Sequence, residues 1–131
     1  MSSERSYNFE KLTVRYRPSY LPETMFKFVF DHETSGDITK VFSPSHIQDL
    51  INYLRADDNK FHIIGDSVEG SKPIEVDVHK TTGTGLVVSI WVDIQSEDSI
   101  HVIQSLRKEE TQNFYDFLVK CKNHYERSRP E

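Results

Sequence analysis

Residues 74–94, which read IEVDVHKTTGTGLVVSIWVDI, constrain the fold of this chain more than any other stretch. Apolar and polar residues alternate on both sides of a short segment that contains Gly83 and Gly85. A period of two places successive side chains on opposite faces of a β-strand. We expect the two glycines to supply the positive φ angles at which neighbouring strands reverse, so this stretch is predicted to form a β-hairpin.

The two faces of the predicted hairpin differ in chemistry. One face is aliphatic and should point toward the core: Ile74, Val76, Val78, Leu86, Val88, Ile90, Val92 and Ile94. The opposite, outer face carries carboxylates, a histidine and a tryptophan: Glu75, Asp77, His79, Val87, Ser89, Trp91 and Asp93. Carboxylates are ordinary on the solvent side of a sheet, so they identify no site by themselves.

Trp91 is the informative residue of the outer face. A large aromatic side chain in such a position is either covered by another part of the protein or contacts a partner, and the sequence leaves both alternatives open. Tryptophan is enriched among the residues that dominate protein interfaces. We therefore take Trp91, Glu75, Asp77, Asp93 and His79 as candidate binding residues.

Two helices are predicted in the remaining sequence. Ser43 and Pro44 are typical of a helix start, because serine caps a free backbone N–H and proline suits the first helical position. The helix that follows, which should end near residues 57–59, has one apolar stripe: Ile47, Leu50, Ile51 and Leu54. A C-terminal helix from about Arg107 has a second stripe: Phe114, Phe117, Leu118, Cys121 and Tyr125. Both stripes have the spacing of an amphipathic helix that buries one side.

Further strands are predicted at residues 9–16, 25–31, 38–42, 60–65 and 99–106, with a polar loop at 66–72. Short connections between successive strands favour antiparallel pairing, and a helix separates only one pair. The predicted class is therefore α+β: a single antiparallel β-sheet, flat or strongly curved, with one internal helix and one C-terminal helix. We expect one domain over residues 1–131, with mobile ends at 1–8 and 126–131.

Charge and composition limit the partners. The net charge of −5 argues against a nucleic-acid binder that works by neutralising phosphates, and an acidic surface attracts a basic partner instead. The single cysteine, Cys121, excludes an intrachain disulfide. No stretch approaches the ~20 apolar residues that span a bilayer. We therefore expect a cytoplasmic protein with a basic protein partner, no nucleic acid and no membrane.

The outer face also raises the question of chemistry. Asp77, His79 and Asp93, with or without His101, could form a metal or acid–base site only if the fold brings them together. Gly83 and Gly85 lack the third glycine and the following helix of a dinucleotide-binding loop. We predict no catalytic residue, no metal and no cofactor. The alternative is a small enzyme or ligand-binding domain whose pocket over the sheet uses Asp77, His79 and Asp93.

The order of these elements resembles a known family. The SPSHIQDLINYL helix, the FHIIG strand, the IEVDV and LVVSIWVDI hairpin and the KEETQNFYDFL helix look like those of small immunity proteins that neutralise wall-associated polymorphic toxins. The resemblance covers residues 25–120. It implies an acidic, non-enzymatic protein that binds a cognate toxin. The predicted function is thus a protein-binding module, such as an immunity or inhibitor protein, that binds a basic partner through the outer sheet face.

Overall fold

The computed structural model describes residues 4–18, 25–34, 36–56, 62–69, 72–93 and 99–128, with the backbone alone for 62–69, 72, 73 and 128. Within these residues lie eight strands and two helices. In chain order they are β1 (Arg5–Asn8), β2 (Leu12–Tyr16), β3 (Phe26–His32), β4 (Gly36–Phe42), α1 (Pro44–Arg55), β5 (His62–Glu69), β6 (Lys72–Lys80), β7 (Leu86–Val92), β8 (Ile100–Leu106) and α2 (Lys108–Ser128).

The strands form two antiparallel sheets rather than one. The first sheet has the order β1-β2-β3-β4 and the second has the order β5-β6-β7-β8. The α+β class and both helices are confirmed, whereas the single sheet was wrong. The physical reason is that α1 carries the chain away from β4, so β5 begins a new sheet. Two sheets can then each bury one face in a common core, as packed sheets do.

Aromatic side chains fill much of this core. Phe26, Phe28 and Phe30 of β3 are fully buried, and they alternate with residues that point outward. Phe28 packs edge to face against Phe114 of α2, with ring centroids 6.1 Å apart. A hydrogen bond also joins the sheets, because the Lys11 backbone N–H donates to the Gln104 side chain at 2.5 Å. The first sheet is thus held to the second sheet and to α2.

The two helices bury the predicted stripes. Ile47, Leu50 and Ile51 of α1 are at most 2% exposed, and Ser43 caps the helix start as predicted. Helix α1 ends at Arg55, slightly before the predicted end, and residues 57–60 lie outside the described residues. Cys121 of α2 is fully buried, and burial raises the pKa of its thiol to about 12. This cysteine is therefore a core residue and a poor nucleophile.

Three segments differ from the sequence prediction. Of residues 66–72, predicted as a loop, 66–69 lie in β5 and 72 begins β6, which pairs with β5; residues 70 and 71 lie outside the described residues. Arg5–Asn8, within the predicted mobile end, forms β1 against β2, and α2 continues to Ser128. These segments belong to the edge strands β1 and β5, to the start of β6 and to the end of α2. Backbone hydrogen bonds rather than buried side chains can hold such segments, so they carry little apolar periodicity for a sequence to reveal.

The predicted hairpin is β6 and β7, and its aliphatic face is buried as expected. Ile74, Val76 and Val78 on β6 are at most 8% exposed. Ile94 lies outside the described residues. Neither α1 nor α2 combines the length and apolarity that a membrane-spanning helix requires.

The connection between β6 and β7 uses its glycines in two different ways. Gly83 has φ +85°, as predicted, but the second positive φ, +69°, belongs to Thr84 and not to Gly85. Gly85 is required for space. A Cβ atom there would lie 2.8 Å from the backbone oxygen of Leu106 and 2.6 Å from Oγ1 of Thr81. The hairpin therefore approaches β8 too closely for any side chain at position 85.

We predict opposite effects for substitutions at these neighbouring positions. Gly85→Ala should lower the free energy of unfolding by roughly 1–3 kcal/mol, the usual cost of an overpacked site. Thr84→Gly should be neutral or should stabilise by up to about 1 kcal/mol, because glycine relieves the left-handed conformation. Chemical denaturation of both variants measures these effects. A Gly85→Ala variant as stable as the parent would contradict the close approach to β8.

Candidate functional site

The outer face of the second sheet is arranged in cross-strand rows. Antiparallel register places side chains of β6, β7 and β8 opposite one another in three rows: Glu75–Trp91–His101, Asp77–Ser89–Ile103 and His79–Val87–Ser105. Residues that share a row can contact one another, and large side chains also reach diagonal neighbours. The rows therefore show which of the predicted site residues can act together.

Trp91 and His101 form a stacked aromatic pair. Their ring centroids are 3.3 Å apart, and the planes are inclined by 13°. Both side chains are partly exposed. The sequence left open whether Trp91 is covered or free, and the answer is that His101 covers one side of its ring. Because the rings overlap with little offset, the line between them is nearly perpendicular to both planes. The opposite side of the Trp91 ring therefore faces β6.

An exposed aliphatic side chain extends this aromatic surface. Ile103 is 46% exposed and lies two residues from His101 on the same side of β8. Together, Trp91, His101 and Ile103 make an apolar surface, which we call the aromatic patch. Apart from Val87, the other side chains in the three rows of this face are polar.

Asp77 behaves unlike an ordinary surface carboxylate. It is only 3% exposed, and within the described part of the chain its Oδ1 atom has no hydrogen-bond partner. Burial raises the pKa of Asp77 from 3.8 to about 7, and both hydrogen bonding to Glu75 and the charge of Glu75 add to the increase. Unpaired buried oxygens are uncommon, because a buried acceptor without a partner is costly.

His101 provides a second buried polar atom without a partner. Its Nε2 atom is inaccessible and makes no hydrogen bond to any described residue. Burial holds the pKa of His101 below its ordinary value of 6.5, so the ring is mainly neutral at pH 7. Asp77 on β6 and His101 on β8 lie on the two sides of Trp91 on β7. Both unpaired atoms therefore belong to residues that flank the tryptophan.

The other predicted site residues do not join this group. His79 is exposed near the turn of the hairpin, and Asp93 follows the end of β7 with φ +58°. His79 and Asp93 thus lie at opposite ends of the hairpin. Among the described residues, no three histidine, cysteine, aspartate or glutamate side chains are placed to hold a metal. Asp77, His79 and Asp93 therefore do not converge into the pocket that the alternative reading required.

His101 and Ile103 are the members of the aromatic patch that sequence reasoning did not select as binding residues. Alternation within residues 100–106 indicates that they share one side of β8. Alternation does not reveal which residues of β7 they oppose, because the register between two strands cannot be read from the periodicity of one of them. Only the register in the structure shows that His101 lies beside Trp91.

Positive charge is concentrated elsewhere. A cleft of about 890 Å³ lies between the end of α1, the β6–β7 turn and the start of α2. Its lining includes the cations Arg55, Lys80 and Lys108 and the carboxylate Glu109. On the outer face of the first sheet, Arg15 and Lys27 are exposed and directly opposite each other. The chain therefore has local basic regions despite its net charge of −5.

Comparisons with known proteins identify the fold. No family model and no curated protein matches the chain. WHY1 from Arabidopsis thaliana is similar in structure, with a TM-score of 0.61 and 10% identity over 95% of this chain and 91% of that one. WHY3 from the same plant has a TM-score of 0.59 and 15% identity over 95% and 89% of the two chains. A chain of a guide-RNA-binding protein complex bound to a gRNA has a TM-score of 0.57 and 8% identity over 97% and 92%. At such low identity, these similarities show a shared fold.

The comparisons contradict the function predicted from the sequence. We predicted a protein-binding module, in particular an immunity or inhibitor protein with a basic protein partner, and excluded nucleic acid. The structural neighbours are instead WHY1, WHY3 and a complex with RNA bound to it. The exclusion of nucleic acid failed because it relied on net charge. Net charge bears on binding through phosphate neutralisation, but it does not bear on stacking between bases and aromatic rings.

The raised pKa of Asp77 predicts how stability depends on pH. Because its folded-state pKa of about 7 exceeds the ordinary 3.8, the protonated carboxyl favours folding below about pH 4, and this contribution is lost as the pH rises to 7. Asp77→Asn should remove this dependence. As the pH rises from 4 to 8, the free energy of unfolding of the variant should increase relative to that of the parent by roughly 1–3 kcal/mol.

Denaturation of the parent and of Asp77→Asn at a series of pH values measures this difference, in which the other titrating groups largely cancel. The exposed Asp37→Asn on the first sheet is a matched control that also removes one negative charge. A stability difference between parent and Asp77→Asn that does not change with pH would show that Asp77 ionises normally in the folded protein.

Proposed function

We propose that this protein binds single-stranded nucleic acid, with bases stacked on the aromatic patch of the second sheet. The stacked pair of Trp91 and His101 is the observation that carries the proposal. The shared fold with a guide-RNA-binding complex supports it. Base stacking on aromatic side chains is the common way in which proteins hold unpaired strands, and it contributes about 1–3 kcal/mol per base.

The geometry of Trp91 suits this role. His101 packs against one side of its ring, which reduces the rotamer freedom that a base would otherwise have to restrict on binding. The other side of the ring faces β6. Ile103 offers further apolar contact two residues from His101. A duplex hides the faces of its bases, so this patch can stack only on bases that are unpaired.

Phosphate contacts are available at a distance along the same hairpin. The cleft that contains Lys80, Arg55 and Lys108 lies at the turn end, and Trp91 lies five residues from Leu86 at the start of β7. That separation corresponds to about 17 Å along a strand. Glu75, beside Trp91 in its row, makes the immediate surroundings of the ring acidic. Stacking rather than charge should therefore dominate the affinity.

Trp91→Ala should weaken binding of a fluorescently labelled dT or U oligomer of about 15 nucleotides by roughly tenfold or more, which corresponds to the loss of one stacked base. Fluorescence anisotropy measures the affinity, and quenching of the single tryptophan reports contact with the base. Trp91→Phe should retain part of the affinity. Val41→Ala, which removes an exposed apolar side chain from the first sheet, is the matched control and should bind like the parent.

The dependence on salt provides an independent measurement. With the three cations of the cleft as the main phosphate contacts, the slope of log affinity against log salt should be no steeper than about −2. Circular dichroism verifies that each variant is folded. Failure of the parent to bind any oligomer would contradict the proposal. Binding that is unaffected by Trp91→Ala but lost in Val41→Ala would move the interface to the first sheet.

A further inference from the structure

The buried carboxyl group of Asp77 has no role in base stacking on Trp91. The carboxyl group is almost fully buried on the outer face of the second sheet, and its Oδ1 atom has no partner among the residues that the structure describes. A native fold keeps few such atoms, and each one calls for a physical reason. An oxygen that lacks a donor in the free protein is available to a donor on a ligand.

The position of Asp77 relates this oxygen to the aromatic patch. Trp91 stacks on His101 toward β8, so its other side faces β6, the strand that carries Glu75 and Asp77. Glu75 is in the same row as Trp91, and Asp77 is in the adjoining row at the diagonal position. A base on the β6 side of Trp91 would therefore extend over the region of the two carboxyl groups.

We propose that this face selects guanine: a guanine base stacks on the β6 side of Trp91 and donates its N1–H and 2-amino N–H groups to the carboxylate of Asp77. This inference rests on the proposed function and adds a base preference to it. It assigns Asp77 and Trp91 different roles, since Trp91 holds any base and Asp77 distinguishes one.

Hydrogen-bonding chemistry selects guanine among the bases. A carboxylate accepts two parallel hydrogen bonds, and guanine alone presents two adjacent donors on its Watson–Crick edge. Adenine and cytosine each place a ring-nitrogen acceptor beside their amino group, and that acceptor would face a carboxylate oxygen. Uracil and thymine have one N–H between two carbonyl oxygens. Glu75 reinforces the requirement for donors, because it adds a second carboxyl group beside the site.

Access to Asp77 requires a small rearrangement, since the residue is 3% exposed. Either the carboxyl group turns outward or a neighbouring side chain moves aside. Among the described residues Oδ1 makes no hydrogen bond that the movement could break, so the only bond given up is the one between the Asp77 carboxyl group and Glu75. With a pKa of about 7, the group is mostly ionised at pH 8 without a ligand, which makes that pH suitable for the test.

The test uses dT oligomers of about 15 nucleotides that carry one different base at the centre, measured by fluorescence anisotropy at pH 8. Guanine should bind about tenfold more tightly than adenine, cytosine or thymine, the usual discrimination of a bidentate contact. Inosine lacks the 2-amino group and should lose most of this advantage. 7-Deazaguanine keeps the Watson–Crick edge and should bind like guanine.

Variants locate the preference. Asp77→Asn should bind guanine no better than thymine, while it keeps the Trp91-dependent affinity for plain dT. Asp37→Asn removes the same charge from the first sheet and should keep the guanine preference. Equal binding of all central bases, with dependence on Trp91, would overturn this inference and leave the proposed function intact. A guanine preference that survives Asp77→Asn would overturn the role of Asp77, and absence of any binding would overturn both proposals.

Discussion

Burial of one face of each sheet in a common core is the constraint on which the rest of the structure depends. Phe28 of β3 packs on Phe114 of α2, and the inner face of the second sheet is closed by its aliphatic residues. Gln104 adds a hydrogen bond to the backbone of Lys11 across the two sheets. Once the inner faces are occupied in this way, alternation leaves every second residue of each strand on an outer face. The location of Trp91 and Asp77 follows from the packing of their neighbours.

This dependence explains what could be predicted from the sequence. Alternation is local, so the β6–β7 hairpin and the buried set that includes Val76 and Val88 could be identified correctly. The stripes of α1 and α2 are local too. Division into two sheets depends on whether β4, besides pairing with β3, also pairs with a strand of the second sheet. That pairing is non-local, and periodicity does not encode it. The sequence therefore indicated the elements and the α+β class, but it did not indicate how the strands are shared between sheets.

In the candidate site, too, local sequence patterns could identify single residues but not their contacts. Trp91 could be selected because a tryptophan on a polar face is unusual. Its contact with His101 depends on the β7–β8 register, and the burial of Asp77 depends on packing across several strands. Asp77 was selected as an exposed carboxylate, yet it is a buried one. Composition also misled the prediction of partners, because a net charge averages over surfaces as different as the cationic cleft and the acidic surroundings of Glu75.

The polar atoms without partners favour a functional reading of this face over a purely structural one. A sheet whose outer side only meets solvent gains nothing from a buried carboxyl group, and asparagine or threonine would fit such a strand at lower cost. Here both the unpaired oxygen of Asp77 and the unpaired nitrogen of His101 belong to residues that flank Trp91. Departures from ordinary folding rules are expected where binding requires them. A base that stacks on Trp91 and donates to Asp77 would use the unpaired oxygen on β6, so for this group the cost to folding and the capacity to bind have one physical origin.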